Sequence, residues 1–276
     1  MSIRVAVIIP AAGFSGRYTQ GMEVPRSKLD EDLGGRPVLQ RTVELFVNYE
    51  HEDVVIGTII VAGPHDPKQM EQFRSRHGDK LGLLGATVVP GGVTHRWETV
   101  KAALTHVPAD ATHVAVHDGA RPCATRELLD RVFDAAMKFP AVLPVVEVGD
   151  TVKRVSAERV PDPKPDPFAA ILGAGGGEGE SKGTPYHAVE QTIDRTRLVM
   201  VQTPQVFERD LIVRAYGQQD LSSTDDAGLV ERLGERVITV PGEARNIKIT
   251  RPSDLALCRN ILGVREPEGR ATHKRF

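Results

Sequence analysis

The sequence predicts an α/β sandwich on a mostly parallel sheet, with its ligand site at the carboxyl edge of the strands. Three observations carry that prediction. Short apolar runs recur along the chain, helix-compatible stretches separate them, and glycine-containing or charged loops follow the strand ends. The first run, Val5 to Ile9, is bounded by Pro10 and a glycine-containing loop, and it reads as a buried parallel strand. Pro37 suits a first helical position, after which Leu39, Val43 and Phe46 recur on one helical face. Strand signals return at Gly57 to Ala62, His113 to His117 and Ala141 to Val146. Between the last two, Leu128, Leu129, Val132, Phe133, Ala136 and Met137 form an apolar helical stripe. Later signals are Val199 to Gln202, Val237 to Val240 and a helix beginning near Pro252.

One stretch breaks the alternation. From about Val155 to Glu190 the chain reads DPKPDP and then GAGGGEGESKG, a composition that buries little apolar surface and predicts a mobile insertion. The remaining length, with 40% hydrophobic residues over 276, supports one elaborated domain, 1–276. A formal net charge of -2 gives no basic nucleic-acid surface, although 35 Lys and Arg residues leave charge for a local anion site. Cys123 and Cys258 are far apart and outside any C-x-x-C pattern, so a disulfide framework and a zinc site are not expected. The apolar run before Pro10 is too short for a signal h-region or a membrane span. A cytoplasmic location away from membranes is the expectation.

PAAGFSGR, Pro10 to Arg17, follows the first strand directly, where small residues let backbone N–H groups approach phosphates and Arg17 adds a fixed charge. The same glycines would serve a plain tight turn onto a helix. The loop matches neither G-x-x-x-x-G-K-[ST] nor G-x-G-x-x-G, so a P-loop ATPase and a dinucleotide fold are not supported. Lys28, in PRSKLDEDLGGRPVL, lies a short loop away and is placed to grip a triphosphate. In HVAVHDGARP, Asp118 ends an apolar strand, which suits either a Mg²⁺ ligand or a helix N-cap. ARNIKITRP offers Asn246 as a second oxygen ligand and Lys248 as another phosphate contact. Together these residues predict magnesium-dependent nucleotidyl transfer.

Taken in order, PAAGFSGR with Lys28, GGVTHRWETV, HDGARP, DTVKR, TPQVF, STDDAG and NIKITRPSDL resemble the 2-C-methyl-D-erythritol 4-phosphate cytidylyltransferase family of polyol-phosphate cytidylyltransferases. The resemblance covers nearly the whole chain outside the Pro/Gly-rich insertion and the C-terminal end. It implies a Rossmann-like three-layer α/β/α sandwich of the nucleotide-diphospho-sugar transferase type with a protruding β-arm. It also implies a homodimer through that arm, residues 150–196. Its implied substrates are CTP and a small polyol phosphate, with Mg²⁺ or another divalent cation as cofactor, in non-mevalonate isoprenoid synthesis.

Carried over to this chain, the resemblance places Pro10, Ala11, Ala12, Gly13, Gly91, Gly92 and Thr99 around the nucleotide. Arg17 and Lys28 would stabilise the triphosphate, Lys248 would face the reacting phosphates, and Asp118 would hold the metal. Arg121, Thr151, Arg195, Thr203 and Thr224 match positions that bind the acceptor or line its pocket. The family's P-K-Q is replaced here by PRSK, so Arg26 competes for the Lys28 role, although counting back from LGG favours Lys28. Val93 replaces the usual acidic residue after the glycine pair, and one residue is inserted before Arg96.

A phosphate monoester acceptor is already anionic at neutral pH, so the expected mechanism needs no general base, and neither His95 nor His117 is assigned a catalytic role. GESKG, Gly179 to Gly183, matches a nucleophile elbow formally but lacks the preceding apolar strand. The alternatives are a cytidylyltransferase for ribitol 5-phosphate, a glycosyltransferase using Asp30-Glu31-Asp32 as a D-x-D motif, and a nucleotide-binding regulatory protein with a decayed site. Retention of Arg17, Lys28, Asp118, Arg195 and Lys248 argues against decay.

Overall fold

β1 (Ile3–Pro10) forms because an uninterrupted apolar run can be covered on both sides: Val5, Val7 and Ile9 enter one core, and Ile8 enters the other. The structure, a computed structural model, describes residues 2–13, 16–20, 26–161 and 186–265. These fall into two units, Met1–Val146 with Val201–Phe276, and Glu147–Met200.

In the larger unit β1 pairs in parallel with β2 (Val54–Gly63) on one side and β4 (His113–Val116) on the other. β3 (Ala86–Pro90) extends the sheet in parallel beyond β2. On the far side lie β5 (Ala141–Glu147), β9 (Gln205–Glu208) and β10 (Ile238–Pro241), in the order β10-β5-β9-β4-β1-β2-β3. β9 alone in this order runs antiparallel, against β4 and β5. The parallel strands therefore bring Pro10, Gly63, Pro90 and Val116 to one sheet edge, the edge where ligand loops collect.

Helices cover both faces. One core packs α2 (Val38–Val47), α3 (Pro67–Leu83), α5 (Arg126–Ala136) and α8 (Pro252–Leu262) against the sheet. The opposite core packs α4 (Arg96–Leu104), α6 (Arg209–Tyr216) and α7 (Ala227–Arg232). The chain ahead of α2 carries α1 (Gly16–Thr19) and a 3₁₀ turn, Lys28–Asp30. The stripe read on α5 is real: Leu128, Leu129, Val132, Phe133 and Ala136 are all buried. Thr125 caps this helix, its hydroxyl accepting from the Leu128 N–H at 3.1 Å.

β3, the long polar helix α3 and the antiparallel β9 had no distinct sequence signal. α3 shows few apolar residues on a face that buries only Met70, Phe73, His77 and Leu81, and β9 is a short strand in an otherwise parallel alternation.

The smaller unit is a ribbon in which β6 (Val152–Val155) pairs antiparallel with β7 (Val189–Ile193); β8 (Val199–Val201) straddles the boundary between the units. An isolated bridge joins Val160 and Tyr186. The ends of the stretch read as a mobile insertion are therefore paired backbone. Residues 162–185, including Gly179 to Gly183, lie outside the described residues.

Phe133 is fully buried in the first core. Phe133→Ala is expected to cost about 3–5 kcal/mol of stability through lost transfer energy and an unfilled cavity. Chemical denaturation checks this, and an unchanged midpoint would place the ring outside the core.

Candidate active site

At the sheet edge the loop after β1 meets the loop after β3. Pro10, Ala11, Ala12 and Gly13 line a cavity, and Gly92, Val93, Thr94, His95 and Thr99 form its adjoining wall. The contact between the loops is so close that two glycines are required. A Cβ on Gly92 would sit 2.2 Å from Glu98 Cβ, and one on Gly91 would sit 2.6 Å from the Gly63 carbonyl oxygen and 3.1 Å from Ala12 Cβ. Thr99 holds this wall, its hydroxyl accepting from the Gly92 N–H at 3.1 Å. Glu98 holds it as well, with one carboxylate oxygen accepting from the N–H groups of Val93, Thr94 and His95 at 2.9, 2.7 and 3.3 Å. The acid that closes GGVTHRWE thus organises the loop in which Val93 occupies the position after the glycine pair.

The floor of the cavity is electrostatic. Asp118, at the end of β4, is its only carboxylate among the described lining residues. Lys248 Nζ lies 2.9 Å from Asp118 Oδ2, Arg121 Nε lies 3.2 Å from the same oxygen, and Arg96 Nε lies 3.4 Å from Oδ1. Burial alone would push this carboxyl up, but the charges of Lys248, Arg96 and Arg121 hold it far below the usual carboxylate range. Asp118 is ionised at neutral pH.

Lys28 joins the same cavity and donates to the Ile249 carbonyl at 2.8 Å. Burial lowers its ammonium pKa, and Lys248 and Arg17 lower it further against the opposing pull of Asp118, to about 8. Arg26 is exposed and is not among the described residues that line the cavity, whereas Lys28 is.

A chain of hydrogen bonds sets the Asp118 turn. The Asp118 N–H donates to Thr203 Oγ1 at 3.1 Å, Thr203 donates to His117 Nδ1 at 3.1 Å, and His117 Nε2–H donates to the Arg121 carbonyl at 3.0 Å. Burial lowers the His117 pKa to about 4, so the ring is neutral and can accept on one nitrogen while donating on the other. His117 serves the backbone, in line with the absence of an assigned catalytic role. Asn246 works nearby: its side-chain N–H donates to the Thr203 carbonyl at 2.9 Å, and its own backbone carbonyl accepts from Arg121 Nη1 at 2.7 Å.

Of the sequence-predicted residues, Pro10, Ala11, Ala12, Gly13, Lys28, Gly92, Thr99, Asp118 and Lys248 therefore line one cavity. Gly91 is buried directly beneath its wall, and Arg121 is tied to Asp118. Arg17 is exposed on α1, and Thr224 is exposed in the loop before α7. Thr203 and Asn246 are buried and do not line the cavity. Asn246 Oδ1 has no hydrogen-bond partner among the described residues. Thr151 and Arg195 belong to the smaller unit, where the Arg195 guanidinium donates to the Gly149 carbonyl. The D-x-D reading loses its first carboxylate, because Asp30 is engaged by His77 and Arg76.

Arg96 had no role in the sequence reading. The structure sets it in the cavity wall between Asp118 and the wholly buried Asp226, to which its Nη2 donates at 2.8 Å. Asp226 also accepts from the Tyr216 hydroxyl at 2.5 Å. The signal was hidden because the Arg96 and Asp226 partners stand 130 residues apart.

A loop of small residues beside lysines and arginines gathered on one carboxylate is the equipment of an α/β nucleotidyltransferase. The relationship is also visible in sequence: residues 5–163 and 180–264 match the model of IspD, 2-C-methyl-D-erythritol 4-phosphate cytidylyltransferase, and the chain belongs to that family. It is 38% identical over 268 residues to the 2-C-methyl-D-erythritol 4-phosphate cytidylyltransferase of Frankia casuarinae, covering 96% of this chain and 84% of that one. The enzyme of the same name from Streptomyces coelicolor is 35% identical over 265 residues, covering 95% of this chain and 86% of its own. The crystal structure of that enzyme from Thermus thermophilus superposes with a TM-score of 0.65 at 30% identity, covering 96% of this chain and 100% of the other.

Gly92→Ala is expected to weaken nucleoside triphosphate binding about tenfold or more, since forcing a methyl group into packed backbone costs about 1–3 kcal/mol. Calorimetric titration reads this directly. Unchanged affinity would remove the glycine pair from the nucleotide site.

Proposed function

We propose that the chain transfers a cytidylyl group from CTP to 2-C-methyl-D-erythritol 4-phosphate, giving 4-diphosphocytidyl-2-C-methyl-D-erythritol and pyrophosphate. The observation that carries the reading is the gathering of Lys28, Lys248 and Arg96 around Asp118, beside an open small-residue loop, in a chain of this family.

The acceptor's phosphate has a second pKa near about 6 and is anionic at neutral pH. Its oxygen forms the new bond to the α-phosphorus of CTP, and the bond to the bridging oxygen breaks with its electron pair leaving on pyrophosphate. No proton need be removed, which agrees with a cavity whose one histidine, His95, is exposed at the rim. The protein's task is to hold two mutually repelling anions in line and to offset the charge that grows on the leaving group. Lys28 and Lys248 do this from within the cavity, and Arg17 supports the triphosphate. Arg121, held by Asp118 and the Asn246 carbonyl, is the proposed acceptor-side cation, with Thr203 and Thr224 as further acceptor-side residues of the larger unit; Thr151 and Arg195 keep the acceptor roles that the family resemblance gives them.

The residues fit Mg²⁺, which commonly binds through one or two carboxylates plus substrate phosphates and retained water. Asp118 would hold it; Asn246 Oδ1, a buried oxygen without a partner among the described residues, is the second candidate donor, although Asn246 does not itself line the cavity. A bound Mg²⁺ would supply charge to the phosphate oxygens. Among the described residues no group of three or more His, Cys, Asp and Glu side chains is placed to hold a metal ion, so the protein by itself would supply few ligands to a bound Mg²⁺.

The unit Glu147–Met200 is the proposed homodimerisation arm. Val155, Val160, Tyr186, Val189, Val199 and Met200 leave apolar side chains exposed there, Val189 to 60%, more than a small ribbon can cover by itself. Among the described residues no helix is long and apolar enough to cross a membrane, and a cytoplasmic location is part of the proposal.

A pyrophosphate-release assay that crosses CTP, ATP, GTP and UTP with methylerythritol and ribitol phosphates tests the activity. Turnover with CTP and 2-C-methyl-D-erythritol 4-phosphate is expected, and preference for ribitol 5-phosphate would overturn the acceptor. Lys28→Ala and Lys248→Ala are each expected to lower turnover about 10²- to 10³-fold in folded protein. Near-normal rates in both would sink the assignment.

Because Lys28 must be cationic and its free-enzyme pKa is lowered to about 8, kcat/KM for CTP is expected to fall as pH rises through that value. The cation is present below it and lost above it. Lys28→Arg should move this limb beyond the measured range, and a limb unchanged in the arginine variant would assign it to another group.

A further inference from the structure

Lys28 is carried by a 3₁₀ turn only three residues long, Lys28–Asp30. So short a turn has little hydrogen bonding of its own: the Ser27 hydroxyl accepts from the Leu29 N–H at 3.2 Å, and the Ser27 carbonyl accepts from the Asp30 N–H at 3.1 Å. Its other anchors are tertiary. At one end Lys28 reaches the Ile249 carbonyl, and in the middle Leu29 is buried in the core. At the other end Asp30 points to α3. His77 Nε2 lies 2.6 Å from Asp30 Oδ1, and the Arg76 guanidinium engages Oδ2.

His77 is only 3% exposed, although α3 is mostly polar and solvent-facing. Its ring packs against Phe73 with centroids 4.9 Å apart. An imidazole buried on that face costs hydration unless its nitrogen is satisfied, and Asp30 is the group that satisfies it. For Asp30, burial opposes ionisation, but the hydrogen bond and charge of His77, reinforced by Arg76, hold its pKa below the usual value. One ionised carboxylate therefore joins the turn that carries Lys28 to a helix that contributes nothing else to the cavity among its described lining residues.

We propose that Asp30, clasped by His77 and Arg76, is a positioning residue for the transfer reaction, fixing the turn that presents Lys28 to the triphosphate. The inference rests on the cytidylyltransferase reading for its rate measurements. It assigns function to a carboxylate outside the cavity. The clasp holds the turn whose one charged cavity group is Lys28, so its removal lowers kcat through that residue and leaves the acceptor side untouched.

The test combines Asp30→Ala and His77→Leu with the milder Asp30→Asn and His77→Gln, the last of which keeps a donor for Asp30. Pyrophosphate release measures kcat and both KM values in the parent protein and in a Lys28→Ala background. A displacement of a catalytic group by about 1 Å can cost up to about 10²-fold, so Asp30→Ala is expected to lower kcat about tenfold in the parent protein. In the Lys28→Ala background the fall should shrink to less than about twofold, because the affected group is gone. KM for the acceptor should stay constant, and His77→Gln should retain more activity than His77→Leu.

Equal losses in both backgrounds, or no loss in the parent, overturn the proposal. Amide hydrogen exchange across residues 26–33 supplies an arm independent of activity. Faster exchange in Asp30→Ala and His77→Leu, with normal exchange in β1 and β4, is expected, and unchanged exchange overturns the clasp. A parent protein silent toward CTP and every polyol phosphate overturns the cytidylyltransferase reading, while the exchange result still decides whether the clasp holds the turn.

Discussion

The site depends on one buried negative charge. Asp118 stands at the end of a central strand, and Arg96, Arg121 and Lys248 approach it from three separate parts of the chain: the start of α4, the turn after β4, and the segment leading to α8. A lone carboxylate buried there would be costly, and so would three cations gathered around an empty anion site. Each side of the arrangement makes the other tolerable. The cost of that mutual dependence is offset by the two cores packed on the sheet's faces, and its return is a set of positive groups already oriented where phosphate charge will arrive.

A second level of structure keeps that charge in place. Thr203, His117 and the Asn246 side-chain N–H are hydrogen-bonded to backbone or to one another, and all three residues are buried. Thr203 precedes β9, the antiparallel strand wedged between β4 and β5, so the latch ties the Asp118 turn to the strand beside it. Asp226 and Tyr216 do the same for Arg96 from the start of α7 and the end of α6. Such partnered polar groups hold side-chain geometry more narrowly than apolar packing would, since any displacement leaves a buried donor or acceptor without a partner.

Much of the cavity lining was legible in the sequence from short local patterns, with Gly92 and Thr99 reached through the family resemblance. Pro10 to Gly13 directly follow an apolar strand, Asp118 ends another, and Gly92 and Thr99 share a loop and the helix it opens. The supporting half was not legible, because its partners are distant in sequence and chemically ordinary. Nothing local distinguishes an Arg96 that meets Asp226 from a surface arginine, or a His77 that meets Asp30 from a solvated histidine. The same limit explains the sheet. Repeated apolar runs announced parallel strands, whereas β9 is four residues long, and only its two neighbours determine that it runs the other way.

Lys28 shows why such a site tolerates crowding before its substrate arrives. Burial and the neighbouring charges of Lys248 and Arg17 bring its pKa to about 8, so losing its proton costs less than it would for an ordinary lysine. In the proposed reaction a triphosphate brings several negative charges to the same cavity. Their attraction favours the protonated amine and raises its pKa, so nucleotide binding and full charging of Lys28 reinforce each other. Repulsion among the cations is therefore greatest in the empty cavity and is relieved by phosphate. In the proposed reaction the electrostatic strain built into the free site becomes affinity for the charge of the bound nucleotide.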